Sequence, residues 1–171
     1  MEPLHLSVFS EIGRLKQVVI HKPGPEVDLM VPAMMEKLLF DDILYGDEAR
    51  REHAVFRQVL ARVADEVLDI QELFAQALAQ AGVKDAFIAD LAKLVNLDPG
   101  SCTLLHDLDA VQVAAAVIGG VPWEDMPTHT HWDRDFDYRL RPIPNLLFMR
   151  DPASVIGDGY SVNSMATLSK R

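Results

Sequence analysis

Leu15-Lys-Gln-Val-Val-Ile-His-Lys-Pro-Gly24 opens the chain's first regular element. The β-branched run predicts a strand over Leu15 to His21. Pro23-Gly24 stops it, and Gly13 permits a turn before it. Downstream, Ala49, His53, Phe56, Leu60 and Val63 recur at helical spacing, with Glu48, Arg50, Arg51, Glu52 and Arg57 mostly opposite. That periodicity predicts a helix over Gly46 to Val63, with Asp47 as its N-cap. Glu66-Val-Leu-Asp-Ile70 then reads as a short strand. Strand, helix and strand in succession predict an α/β unit over residues 1–70. His21 reads as a solvated or hydrogen-bonded strand-end histidine, and His53 as a residue at the edge of the core. Pro32 to Leu39 predicts a further short helix, with proline at a first helical position.

The pattern changes after Ile70. Gln71 to Ala81, Lys84 to Asn96 and Leu105 to Ile118 carry three helical periodicities with no strand between them. Gly82, Asp98-Pro-Gly100 and Gly119-Gly120 act as breakers. Residues 71–121 therefore read as a small helical subdomain inserted into the α/β body. Cys102 lies within it, away from any glycine-rich turn, and reads as a small buried hydrophobe. Trp123 to Arg141 is polar and irregular. His129, His131, Asp133 and Asp135 invite a metal reading there, but no third defined ligand and second shell are evident, so a returning loop is the expectation. Residues 122–171 return the chain to the sheet.

Ile143-Pro-Asn-Leu-Leu-Phe-Met-Arg-Asp-Pro152 and Ala153-Ser-Val-Ile-Gly-Asp-Gly-Tyr-Ser-Val-Asn163 follow. Asn145 to Met149 reads as an apolar strand. Ser154 to Ile156 and Tyr160 to Asn163 read as a hairpin around Asp158-Gly159. Pro152 biases Asp151 to an extended conformation. Arg150 and Asp151 then stand side by side at a strand end. They are either an ion pair with each other or binding groups held by a rigid scaffold.

Of the 171 residues 49% are hydrophobic and 25% charged, a globular composition. The formal net charge of −10 argues against nucleic acid and against an anionic membrane surface as partners, since both need a basic patch. It is compatible with a cationic small substrate. A single cysteine allows no intrachain disulfide, which fits a cytoplasmic location. The first residues carry no basic region followed by an apolar core, so no signal peptide is expected.

Several of these stretches resemble the arginine deiminases. Ser10-Glu-Ile-Gly-Arg-Leu-Lys-Gln-Val18 with Pro23-Gly24, Leu38-Leu-Phe-Asp-Asp42, Val117-Ile-Gly-Gly-Val121 and Asn145-Leu-Leu-Phe-Met-Arg-Asp-Pro152 match motifs of that family. The resemblance covers essentially the whole chain. It implies an α/β fold, part of a five-module α/β propeller (pentein) with an inserted helical subdomain. It also implies hydrolysis of L-arginine to L-citrulline and ammonia in the full enzyme, with no metal or organic cofactor.

Hydrolysis of a guanidinium needs a carboxylate to grip the planar cation, a nucleophile such as a thiolate, and a general acid/base. By resemblance, Asp151 is the gripping carboxylate. Arg150 pairs with the substrate α-carboxylate or fixes the pocket wall, Asn145 binds the amino-acid end, and Phe148 lines the alkyl stem. Leu39 contacts the substrate through its backbone or side chain. Met149 stands where a small polar residue is usual, which bears on fine specificity. The family's nucleophilic cysteine and catalytic histidine lie further along than these motifs, so no turnover is expected of this chain alone. The break at Lys170-Arg171 reads as a fragment boundary. A missing C-terminal half or a second chain is the expected partner, and open strand edges imply self-association as a homo-oligomer. A non-catalytic arginine-binding module, or a sister enzyme such as an amidinotransferase or agmatine deiminase, are the alternatives.

Overall fold

A computed structural model of the chain describes residues 6–30, 32, 35, 40–122 and 138–163. Strand β1 (Gln17–Ile20) pairs in parallel with β2 (Glu66–Asp69), in the register Gln17 to Glu66 through Ile20 to Asp69. Between them run a single turn, α1 (Pro25–Asp28), and the long helix α2 (Gly46–Val63). A parallel pair needs such a crossover, and this is the strand–helix–strand order expected from the sequence.

Asp69 ends β2 and starts the next helix. Its Oδ1 accepts from Gln71 N at 2.8 Å, while its Oδ2 accepts from Lys22 N at 3.0 Å, just beyond β1. Helix α2 starts two residues earlier than an Asp47 cap would allow. Tyr45 is the N-cap and makes no side-chain cap, and Asp47 instead pairs with Arg50 at 2.7 Å. That hydrogen bond holds the Asp47 carboxyl below its usual range.

The helical part contains four helices rather than three: α3 (Ile70–Leu78), α4 (Val83–Val95), α5 (Pro99–Asp107) and α6 (Ala110–Gly119). The segment that reads as one helix from Leu105 to Ile118 breaks at Leu108–Asp109, where Asp109 and Gln112 form a reciprocal capping box. Asp98-Pro99 starts a helix rather than merely interrupting one. The Asp98 side chain accepts from Ser101 N at 3.0 Å, and proline occupies the first turn. The Lys84 ammonium donates to the carbonyls of His106 at 2.9 Å and Leu108 at 2.7 Å, satisfying the end of α5. The core joins α3 to α6 through Ala75, Leu78, Val113, Ala114 and Val117, with Leu140 added from β4.

Strand β3 (Val121–Pro122) pairs antiparallel with β4 (Tyr138–Leu140). Hairpin β5 (Ala153–Ile156) and β6 (Gly159–Val162) turns through Gly157-Asp158, one residue earlier than the Asp158-Gly159 expectation. Gly157 takes the positive φ of 63°, and Ile156 pairs with Gly159. The backbone of Val8 bonds to Gly157 at 2.7 and 2.6 Å, tying the N-terminal segment to this turn. The described residues thus form three two-stranded sheets, with no closed barrel among them. No helix of the described residues is long and apolar enough to cross a membrane.

Candidate functional site

Asn145 to Met149 is not a strand. Pro144–Leu147 forms a 3-10 turn, and three further hydrogen bonds continue the tight winding. Leu146 N donates to Ile143 O at 3.1 Å, Phe148 N to Asn145 O at 3.0 Å, and Asp151 N to Phe148 O at 3.2 Å. Pro142 and Pro144 explain the departure, because neither can donate to a ladder. The entry to this turn is anchored where Ile143 N donates to Ile118 O at 2.9 Å, at the end of α6. Gly120 makes the anchor sterically possible. Its φ is 83°, and a Cβ there would lie 2.7 Å from Pro142 N.

Winding changes what the motif presents. Asn145 is half-buried, and Phe148, Arg150 and Asp151 reach the surface. Arg150 does not pair with Asp151; it reaches Glu11 at 3.3 Å, with both side chains largely exposed. Among the described residues the Asp151 carboxylate enters no ion pair. Phe148 meets Phe40, with ring centroids 6.0 Å apart at 42°. Phe40 belongs to Leu38-Leu-Phe-Asp-Asp42, so this contact joins two motifs separated by more than a hundred positions. Leu39 lies outside the described residues, as do His129, His131, Asp133 and Asp135. Among the described residues no group of three or more His, Cys, Asp or Glu could hold a metal ion.

Behind Phe148 lies a groove of about 380 Å³ between α2 and the 3-10 turn, with β1 as its floor. Ile20, His21, His53, Phe56, Leu147 and Phe148 line it, and Asp151 does not. His53 is half-buried, and desolvation lowers its pKa below the ordinary imidazole value. A larger hollow of about 860 Å³, between α1, α2 and the helical part, takes in Lys22, Asp28, Arg50 and Asp69. None of Asn145, Phe148, Arg150 and Asp151 lines it, and Arg50 there is held by Asp28 at 2.9 Å.

Of the two readings of His21, solvated or hydrogen-bonded, the structure has the second, and it adds full burial. Both His21 and Glu26 are 1% exposed, with Nε2 3.1 Å from Glu26 Oε1. The same oxygen accepts from Gly24 N at 2.5 Å. Pro23-Gly24-Pro25 turns the chain so that Glu26, in the first turn of α1, folds back on the strand end. A Cβ on Gly24 would meet Glu26 Oε2 at 2.7 Å, so a side chain there would displace the carboxylate from its place. The signal was present in the sequence as a carboxylate five residues beyond a strand-end histidine, across a Pro-Gly-Pro turn.

Comparison with known proteins puts a family to this arrangement. The family model described as arginine deiminase matches residues 36–171. The chain is 34% identical to the arginine deiminase of Streptococcus pyogenes serotype M49 (strain NZ131) over 178 aligned positions, covering 95% of this chain and 43% of that protein. It is likewise 33% identical to the arginine deiminase of Streptococcus agalactiae serotype V, and 34% identical to that of Streptococcus pneumoniae (strain Hungary19A-6). In these alignments it covers 95% and 94% of its own length, but 43% and 42% of theirs. The chain spans less than half the length of these curated relatives, along their N-terminal part. With the family model matching well over half of its residues, the chain belongs to the arginine deiminase family.

Proposed function

We propose that this chain supplies the arginine-gripping part of a cytoplasmic arginine deiminase that hydrolyses L-arginine to L-citrulline and ammonia. In this reading residues 1–70 are the first module of a pentein propeller, 71–121 the helical insertion, and 122–171 the start of the next module. The Asp151 carboxylate accepts paired N–H bonds from the substrate guanidinium, whose donors form a fixed fork. Phe148 lies along the alkyl stem, Arg150 meets the α-carboxylate, and Asn145 and Leu39 fix the amino-acid end. Water supplies the oxygen of citrulline, and the displaced nitrogen leaves as ammonia. The thiolate and acid/base that perform the displacement come from polypeptide beyond these residues, so this chain alone binds without turnover.

The meeting of Phe40 and Phe148 carries the reading, because it brings two separate family motifs to one place. The exposed Asp151 and Arg150 agree with it, since neither is consumed by the other. Calorimetric titration of the chain with L-arginine should show binding. Asp151→Asn should weaken it by roughly tenfold or more, as loss of a charge-assisted bond of about 1.5–3 kcal/mol implies. Equal affinity of the two proteins would refute the role of Asp151. Equal affinity for agmatine and arginine would refute that of Arg150.

A further inference from the structure

Helix α2 is far less covered than its sequence pattern demands. Gly46 is its only buried residue, while Val55, Phe56, Val59 and Val63 are 58%, 52%, 54% and 59% exposed. Helices in proteins are held chiefly by burying an apolar face, and an exposed contiguous patch of this kind marks an interaction surface. The groove beside Phe56 continues the same face toward His21. There the histidine is 1% exposed and its Nε2 faces Glu26, so it forms a closed wall of the groove.

We propose that the face of α2 around Phe56 and Val59, with the adjoining groove, docks the polypeptide corresponding to the rest of the relatives' length. The docked segment presents an apolar side chain to this face. Coverage decides the occupant. The relatives carry more than half of their length outside the region matched by this chain. A face left bare in the matched region is therefore available to that length within one molecule. The proposal rests on the reading that the chain works as part of a longer enzyme, and it adds where the two parts meet.

Association, not citrulline formation, is the readout, so failure here leaves the arginine-binding reading untouched. The chain would be mixed with the polypeptide of the Streptococcus pyogenes relative that lies beyond the matched region, and complex formation followed by light scattering and titration. A one-to-one complex is expected. Val59→Asp and Phe56→Asp should each weaken it by about tenfold or more, because a charge would have to be desolvated on docking. Far-UV circular dichroism of the isolated variants should be unchanged, since both sites are exposed, and Val59→Ser serves as the milder variant should the Asp change disturb α2. Val111→Asp, at an exposed residue of α6, should leave the complex intact. Absence of a complex with the unaltered chain would overturn the proposal, as would undiminished affinity of the α2 variants. A dimer of the chain itself that Val59→Asp abolishes would also overturn it, assigning the face to a second copy.

Discussion

Glu26→Ala tests the hidden pair at the end of β1. In the folded chain one carboxylate oxygen takes bonds from His21 Nε2 at 3.1 Å and Gly24 N at 2.5 Å, with both side chains 1% exposed. Truncation removes the acceptor for two donors, one of them on a side chain buried away from water. Removing one partner of a buried pair costs about 3–5 kcal/mol. The lower end applies because the second donor, Gly24 N, is only half-buried. Against a native stability of about 5–15 kcal/mol, that is a large share. With a urea dependence near 2 kcal/mol/M for a chain of this size, a loss of ~3 kcal/mol lowers the unfolding midpoint by ~1.5 M. Glu26→Gln retains an acceptor at the same place and should lose less. Arg150→Ala is the control. Its partner Glu11 is as exposed as it is, and such pairs are worth about 0–1 kcal/mol. The reasoning fails if urea unfolding, followed by circular dichroism, gives Glu26→Ala and Arg150→Ala the same midpoint.

Two further outcomes follow from geometry and titration. Gly120→Ala should destabilise the chain by more than about 1 kcal/mol, since the residue sits at φ 83° and its Cβ would press on the Pro142 backbone at 2.7 Å; an unchanged thermal midpoint would count against the anchor described for the 3-10 turn. His53 has a folded pKa below its unfolded value, chiefly through desolvation, so the unfolded chain takes up the proton first as pH falls. Its contribution is therefore intact above about pH 6.5 and is lost on acidification below it, and His53→Gln should flatten the dependence of urea midpoints on pH across that range.

The strand–helix–strand order over Leu15 to Ile70 was legible because β-branched runs and Pro-Gly stops act locally. The motif residues were legible as a group, but the backbone that carries them was not. A run such as Asn145 to Met149 satisfies a strand pattern, and only the flanking prolines and the tether to Ile118 wind it into turns. The split between α5 and α6 could have been read, since Asp109-Ala-Val-Gln112 has the spacing of a capping box. Burial of His21 could not be read from the strand itself. It depends on where the Pro23-Gly24-Pro25 turn sends Glu26, a matter of tertiary path rather than local preference. The bareness of α2 was likewise hidden, because amphipathic spacing says which side wants cover and nothing about what supplies it.

Asp69 serves two masters with one carboxylate. One oxygen starts α3 through Gln71, and the other pins the chain leaving β1 through Lys22. These two amides belong to segments 49 positions apart along the chain, by the separation of Lys22 and Asp69 and its immediate neighbours. Any fluctuation that swings this side chain outward frees both at once. The helical part and the parallel strand pair are thereby latched at a single atom group, so loosening of one is felt immediately by the other.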